Sequence, residues 1–344
     1  MPPLLTEGSR LRARYKIVKL LSHSRLRNIY IAEDQHQRGK HWAIRQMQPV
    51  GIDSADRSWL LGQFEAEARI LSSLEHPSLP KLVDFFVEEN YLYVIREFVQ
   101  GLDLQVILSQ KGGRLGERDS LQVGLALTDL MGYLLRKKLP PVMFRELSLA
   151  NLVFTPEGQT KLIDFGFSRL FQRQARMGSP DYAAPEQFSE DAEIDARTLV
   201  YNVGAMLYHL VTGHNPGTTP FSLPPLWQLN SSLGEKAGQV ILKATQNDPN
   251  LRFNHPADMA KAIAVALASK SKPPKISDRV RKGGTQRLSK ASKVPVRSGS
   301  GGVVDFSAPS EEGGVSFLRI FLAGFVIFVL MALACGYLYV TYLD

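Results

Sequence analysis

Five short apolar stretches near the start of the chain, 15–21, 28–32, 42–46, 82–87 and 92–98, alternate with turn-like segments. Runs of this length between turns predict strands. Between the third and fourth stretches, residues 59–74 change to a three-to-four spacing, which predicts one helix. Beyond residue 104 helical spacing continues to about 268, interrupted by a strand-like pair at 152–154 and 161–163. A β-rich part, 15–98, followed by an α-rich part, 102–268, behind an N-terminal extension, 1–14, predicts an α+β fold.

The remaining residues follow other rules. Residues 269–316 are rich in Lys, Ser, Gly and Pro and poor in aromatics. Such a composition cannot bury enough apolar surface to order itself, so it reads as a disordered basic linker. Residues 320–340 run for 21 positions without a charge, roughly 31 Å as a helix and enough to match a bilayer's hydrocarbon core. The segment 317–341 is therefore expected to be one C-terminal transmembrane helix. Tyr337, Tyr339 and Tyr342 suit the far interface, and Arg319 with the linker marks the near side as cytoplasmic. This reading makes the chain a tail-anchored, single-pass membrane protein.

Charge sharpens the division. The net charge of +8 over 344 residues is uneven, because residues 270–300 hold ten Lys/Arg against Asp278 alone. The first 269 residues are close to neutral, so no nucleic-acid partner is expected. The linker could instead meet anionic lipid, where each well-placed cation gains about 1 kcal/mol. A single cysteine, Cys335, excludes a disulfide framework and a Cys-based metal site within the chain. The polar, basic start carries no secretory signal.

The chemistry is concentrated in short motifs. Residues Phe144 to Asn151 read F-R-E-L-S-L-A-N, and Asp164-Phe165-Gly166 follows a β-type run. Ala43-Ile44-Arg45 lies on a strand, and Glu67 lies in a helix reading F-E-A-E-A with His76-Pro77 after it. Tyr93 to Val99, Gly178-Ser179-Pro180, Ala184-Pro185-Glu186 and Asp248-Pro249 with Arg252 complete the series. In this order the landmarks resemble those of a protein kinase of the bacterial serine/threonine type, over about 15–268. The resemblance implies a two-lobed protein-kinase-like fold. It implies Arg45, Glu67, Arg96, Glu97 and Val99 at the nucleotide, and Asn151 and Asp164 at a metal. Glu146 and Ser148 fall at catalytic positions, and Phe144, Arg145, Leu199, Glu186 and Arg252 at structural ones.

Several positions depart from the family pattern. Ser22, Ser24 and Arg27 stand at the three glycines of the phosphate-covering loop, where bare backbone must approach phosphate. Arg27 reads as an ordinary surface hairpin residue, with a cation that compensates for the lost glycines as the alternative. Arg45 replaces the phosphate-gripping lysine; its larger planar fork is expected to pair with Glu67. Arg96 stands at the gatekeeper, where a buried guanidinium must either turn toward an acid such as Glu67 or Asp164 or escape to solvent.

Glu146 replaces the aspartate base and overshoots it by a methylene, a misplacement that can cost about 10²-fold in rate. Ser148 replaces the lysine that neutralises the transferring phosphate. Phe144 and Leu199 replace a His–Asp brace together and are expected to pack on one another. Residues 170–177 contain no Ser, Thr or Tyr to phosphorylate opposite Arg145.

The residues thus lead to a membrane-anchored pseudokinase, a cytoplasmic signalling or scaffolding module that binds protein partners, with ATP and Mg²⁺ held weakly or not at all. Two alternatives stay open. One is a weak or atypical ATP-dependent serine/threonine kinase with Glu146 as base. The other is an ATP-binding switch without transfer.

Overall fold

The structure, a computed structural model, describes residues 2–24, 27–48, 54–137, 147–167, 181–189 and 192–269, with side chains of the first helix from residue 57. The linker and the expected membrane span lie outside these residues. Among the described residues no helix is long and apolar enough to cross a membrane.

The five predicted strands are present, joined by one more. β1 (Arg10–Leu11), β2 (Tyr15–His23), β3 (Arg27–Asp34), β4 (His41–Met47), β5 (Leu82–Glu88) and β6 (Tyr91–Glu97) form an antiparallel sheet ordered β1-β2-β3-β4-β6-β5. The two-residue period decides which side chains reach the cleft. In β3 it buries Asn28, Tyr30, Ala32 and Asp34 on the outer face and turns Arg27, Ile29 and Ile31 the other way. Helix α1 (Ser54–Ser72) packs against β5 and buries Leu60, Phe64, Ala68 and Leu71 at helical spacing.

The outer face is polar at its centre and fully bonded there. Gln46 accepts from Asn28 (3.0 Å) and Tyr30 (3.2 Å) and donates to Tyr93 (3.1 Å). The start of the chain closes over it. The Pro2 carbonyl accepts from Asn28 (3.3 Å), Leu5 N donates to the Tyr30 hydroxyl (3.1 Å), and Gly8 N donates to Ile17 O (2.8 Å). The extension expected at 1–14 therefore belongs in large part to this lobe. Its residues carry no long apolar run, and hydrogen bonds to a distant buried amide leave no periodic signal.

The second lobe is helical, with a small sheet at the cleft floor. β7 (Leu102–Asp103), β8 (Leu152–Phe154) and β9 (Thr160–Leu162) pair in that order. Around them stand α2 (Leu104–Gln110), α3 (Glu117–Arg136), α4 (Ala196–Thr212), α5 (Leu226–Leu229), α6 (Glu235–Ala244) and α7 (Pro256–Ala268). Helix α4 is apolar on nearly all sides because α3, α6 and α7 each pack on it. The closest approach falls at Gly204, where an added Cβ would lie 2.6 Å from the Ala244 Cβ.

That contact yields a test. Gly204→Ala gains helix propensity but forces α4 and α6 apart, and overpacking of this kind costs about 1–3 kcal/mol. Urea denaturation is expected to show that loss; a variant as stable as the parent would mean that the helices yield freely.

Candidate active-site cleft

The cleft is built from three strands and one turn. β3 contributes Arg27, β4 contributes Arg45, and β6 contributes Arg96; Asp164 lies just past β9. In the antiparallel register Arg27 pairs with Met47 and Ile29 with Arg45, while Ala43 pairs with Arg96. Even separations along each strand then direct all three arginines to the cleft side.

All three meet Asp164. Arg45 donates from Nη1 to Oδ1 (2.5 Å), Arg27 donates from Nη1 to Oδ2, and Arg96 Nη1 stands 3.7 Å from Oδ1. Arg96 also donates to the carbonyls of Ile163 (2.8 Å) and Phe165 (3.0 Å). The gatekeeper arginine has thus turned inward toward Asp164, one of the two outcomes the sequence left open. Burial alone would raise the Asp164 pKa; the fields of Arg45, Arg96 and Arg27 together outweigh it and hold the carboxyl below its ordinary range.

Two expectations need correction. Arg45 was expected to pair with Glu67, but it lies on Asp164. Glu67 Oε1 instead accepts from the Phe167 amide (2.8 Å). Phe167 adopts a left-handed backbone (φ 68°) and buries its ring against Phe64, 5.4 Å away, so the turn delivers its N–H to the helix carboxylate. Gly166 permits this turn: its φ is +82°, and an added Cβ would strike Leu71 at 2.5 Å. Arg27, read as a surface hairpin residue, instead straps the hairpin to Asp164 across the cleft. Its place on the cleft side of β3, in period with Ile29 and Ile31, was the signal available.

Asn151 lies beside Asp164, because Ile163 N donates to its carbonyl (2.8 Å). Ser148 is half-buried and caps the short turn 149–151 without a side-chain bond to it. Glu97 accepts from Lys81 N (3.1 Å) at the end of β6, and Val99 is half-buried after it. Phe165 lines a small cavity behind Arg96 with Leu71, Leu74, Leu82 and Leu162. Leu199 is buried in α4. Phe144, Arg145 and Glu146 lie outside the described residues, as do 168–180, so the expected Phe144–Leu199 contact and the base position do too.

Farther from the cleft, Glu186 and Arg252 form a buried two-pronged pair at 2.6 and 2.9 Å, with Thr198 donating to the same carboxylate (2.8 Å).

A β-rich and an α-rich lobe, with a strand cation, a helix carboxylate and an Asp-Phe-Gly turn facing the space between them, define the two-lobed kinase class. This chain belongs to the protein kinase family: the protein kinase domain matches residues 29–260. Its relatives include serine/threonine-protein kinases of bacteria. It is 25% identical over 277 residues to the serine/threonine-protein kinase PrkC of Bacillus subtilis, covering 76% of this chain and 41% of that one. It is 26% identical over 303 residues to PknB of Mycobacterium tuberculosis, covering 79% and 46%. The chain thus spans less than half the length of these curated relatives. The crystal structure of the Mycobacterium tuberculosis PknI kinase domain superposes with a TM-score of 0.62 at 22% identity, covering 77% of this chain and all of the domain. That likeness concerns the fold.

Protein kinases generally use ATP with Mg²⁺, held by the aspartate of the Asp-Phe-Gly turn and an asparagine. Asn151 and Asp164 occupy those positions, but the surroundings do not fit a divalent cation. Both Asp164 oxygens already accept from guanidinium groups, and a third stands 3.7 Å off. A dication would enter among three cations and leave buried arginines without their carboxylate. Among the described residues no group of three His, Cys, Asp or Glu side chains could hold a metal.

Proposed function

We propose that this chain is a membrane-tethered pseudokinase, a kinase-fold binding module with little or no phosphotransfer. One observation carries the reading: Asp164, which must hold metal for transfer, is committed to Arg27, Arg45 and Arg96. Glu146 and Ser148 at the catalytic positions add to it from the sequence. The module would recruit protein partners to a membrane through its C-terminal span, with residues 270–300 against anionic lipid; support for both comes from the sequence alone.

A second reading, a weak or atypical serine/threonine kinase, is favoured by the relatives, which are named as kinases, and by the retention of Asn151 and Asp164. Radiolabelled ATP with Mg²⁺ separates the two. The purified chain is expected to transfer no label to itself or to a general protein substrate. Transfer abolished by Glu146→Gln would establish the second reading in its place.

A further inference from the structure

The cleft has lost its fit to a metal and gained cations, and the two changes point to one ligand chemistry. Arg45 is buried, yet its Nε has no acceptor among the described residues. A buried donor without a partner is destabilising, and an oxygen placed there would remove that cost. Arg27 sits at the mouth with 38% of its side chain exposed, so it can leave Asp164 for an entering group without being stranded from water. Arg96 stays fixed by two carbonyls behind them and adds positive charge. Among the described residues of the cleft, three guanidiniums face two carboxylates, Asp164 and Glu67, and Glu67 accepts from the Phe167 amide. The balance among these five groups is positive. Planar guanidinium forks match phosphate oxygens, and a phosphate chain needs no cation of its own where the protein supplies them.

We propose that this cleft binds the polyphosphate chain of a nucleoside triphosphate directly on Arg27 and Arg45, without a divalent metal. Arg27 moves from Asp164 to the incoming phosphate, and Arg45 turns its vacant Nε to a phosphate oxygen while keeping Nη1 on Asp164. Mg²⁺ then competes with the site, because it neutralises the anion the arginines recognise. The inference rests on the reading that the cleft does not support metal-dependent transfer.

The test is thermal stability of the full chain in EDTA with ATP, with tripolyphosphate and with adenosine, repeated with excess Mg²⁺. ATP is expected to raise the melting temperature in EDTA, adenosine to leave it unchanged, and Mg²⁺ to shrink the ATP effect. A matching rise with tripolyphosphate would assign the recognition to the phosphates alone; a rise with ATP alone would add the base. Arg27→Ala, at a part-exposed position, is expected to fold and to weaken metal-free ATP binding about tenfold, the loss of one charge-assisted hydrogen bond. No rise in EDTA, a rise that requires Mg²⁺, or an Arg27→Ala variant that binds as the parent does would overturn the proposal. Mg²⁺-dependent binding without transfer would sink this inference and spare the functional reading; transfer beside metal-free binding would do the reverse.

Discussion

Arg252→Ala is expected to lower folding stability by about 3–5 kcal/mol, the usual cost of breaking a buried ion pair from one side. The Arg252 side chain is fully buried and that of Glu186 is 7% exposed. The guanidinium also donates to the carbonyls of Gln246 (2.7 Å), Asn247 (3.0 Å) and Arg197 (3.1 Å). Truncation leaves a buried carboxylate and three carbonyls without this donor, which is why the loss should exceed that of an exposed pair. Urea denaturation measures it, and a loss below about 1 kcal/mol would place the pair among surface-like ones.

Acid supplies a second readout of the same variant. Burial pushes the Glu186 pKa up, but its hydrogen bonds and field from Arg252 win, and the folded value lies below the ordinary 4.5. Stability from a depressed carboxyl is complete above the unfolded value and lost as pH falls through the folded one. Without Arg252 burial dominates and the sign reverses. The gap between parent and variant should therefore narrow as pH falls, first above pH 4.5 as the variant recovers and then below it as the parent loses stability.

Asp164→Ala is the second large effect. In a metal-holding cleft this change removes a ligand; here it removes the shared counter-ion of three arginines. Arg45 and Arg96 each have side chains 9% exposed, so neither can rehydrate in place. The expected loss is about 3–5 kcal/mol, or about 2–4 °C in melting temperature for each kcal/mol in a domain of this size. Adding Arg45→Met should restore part of it, because one unpaired cation is then replaced by an apolar side chain of similar length. A single variant that melts with the parent, or a double variant that melts below the single, would show that Asp164 does not anchor the cluster.

The fold was legible where burial is periodic. Short apolar runs between turns marked β2 to β6 to within a few residues, and the F-E-A-E-A helix followed from three-to-four spacing. The start of the chain was not legible, because its docking depends on the Pro2 carbonyl and Leu5 amide meeting side chains 25 or more residues away. The cleft was legible as a set of positions. Its connections were not. Strand cation and helix glutamate were paired by resemblance, but the Arg45 fork lies on Asp164 and Glu67 accepts from the Phe167 amide. Arg27 was misjudged because a cation at a hairpin end is commonly solvated, and nothing local to 24–28 shows an acid 137 residues later.

Arg96 has a consequence for pharmacology. The recess behind it would suit a lipophilic ring of a cleft-bound ligand, because Leu71, Leu74, Leu82, Leu162 and Phe165 line it. In this protein such a ring would collide with a guanidinium held by two main-chain acceptors, and would have to break both bonds to enter the recess around Phe165. Neutral aromatic chemotypes are therefore poorly matched to this recess, and a probe bearing a carboxylate or tetrazole at that end is the better starting point.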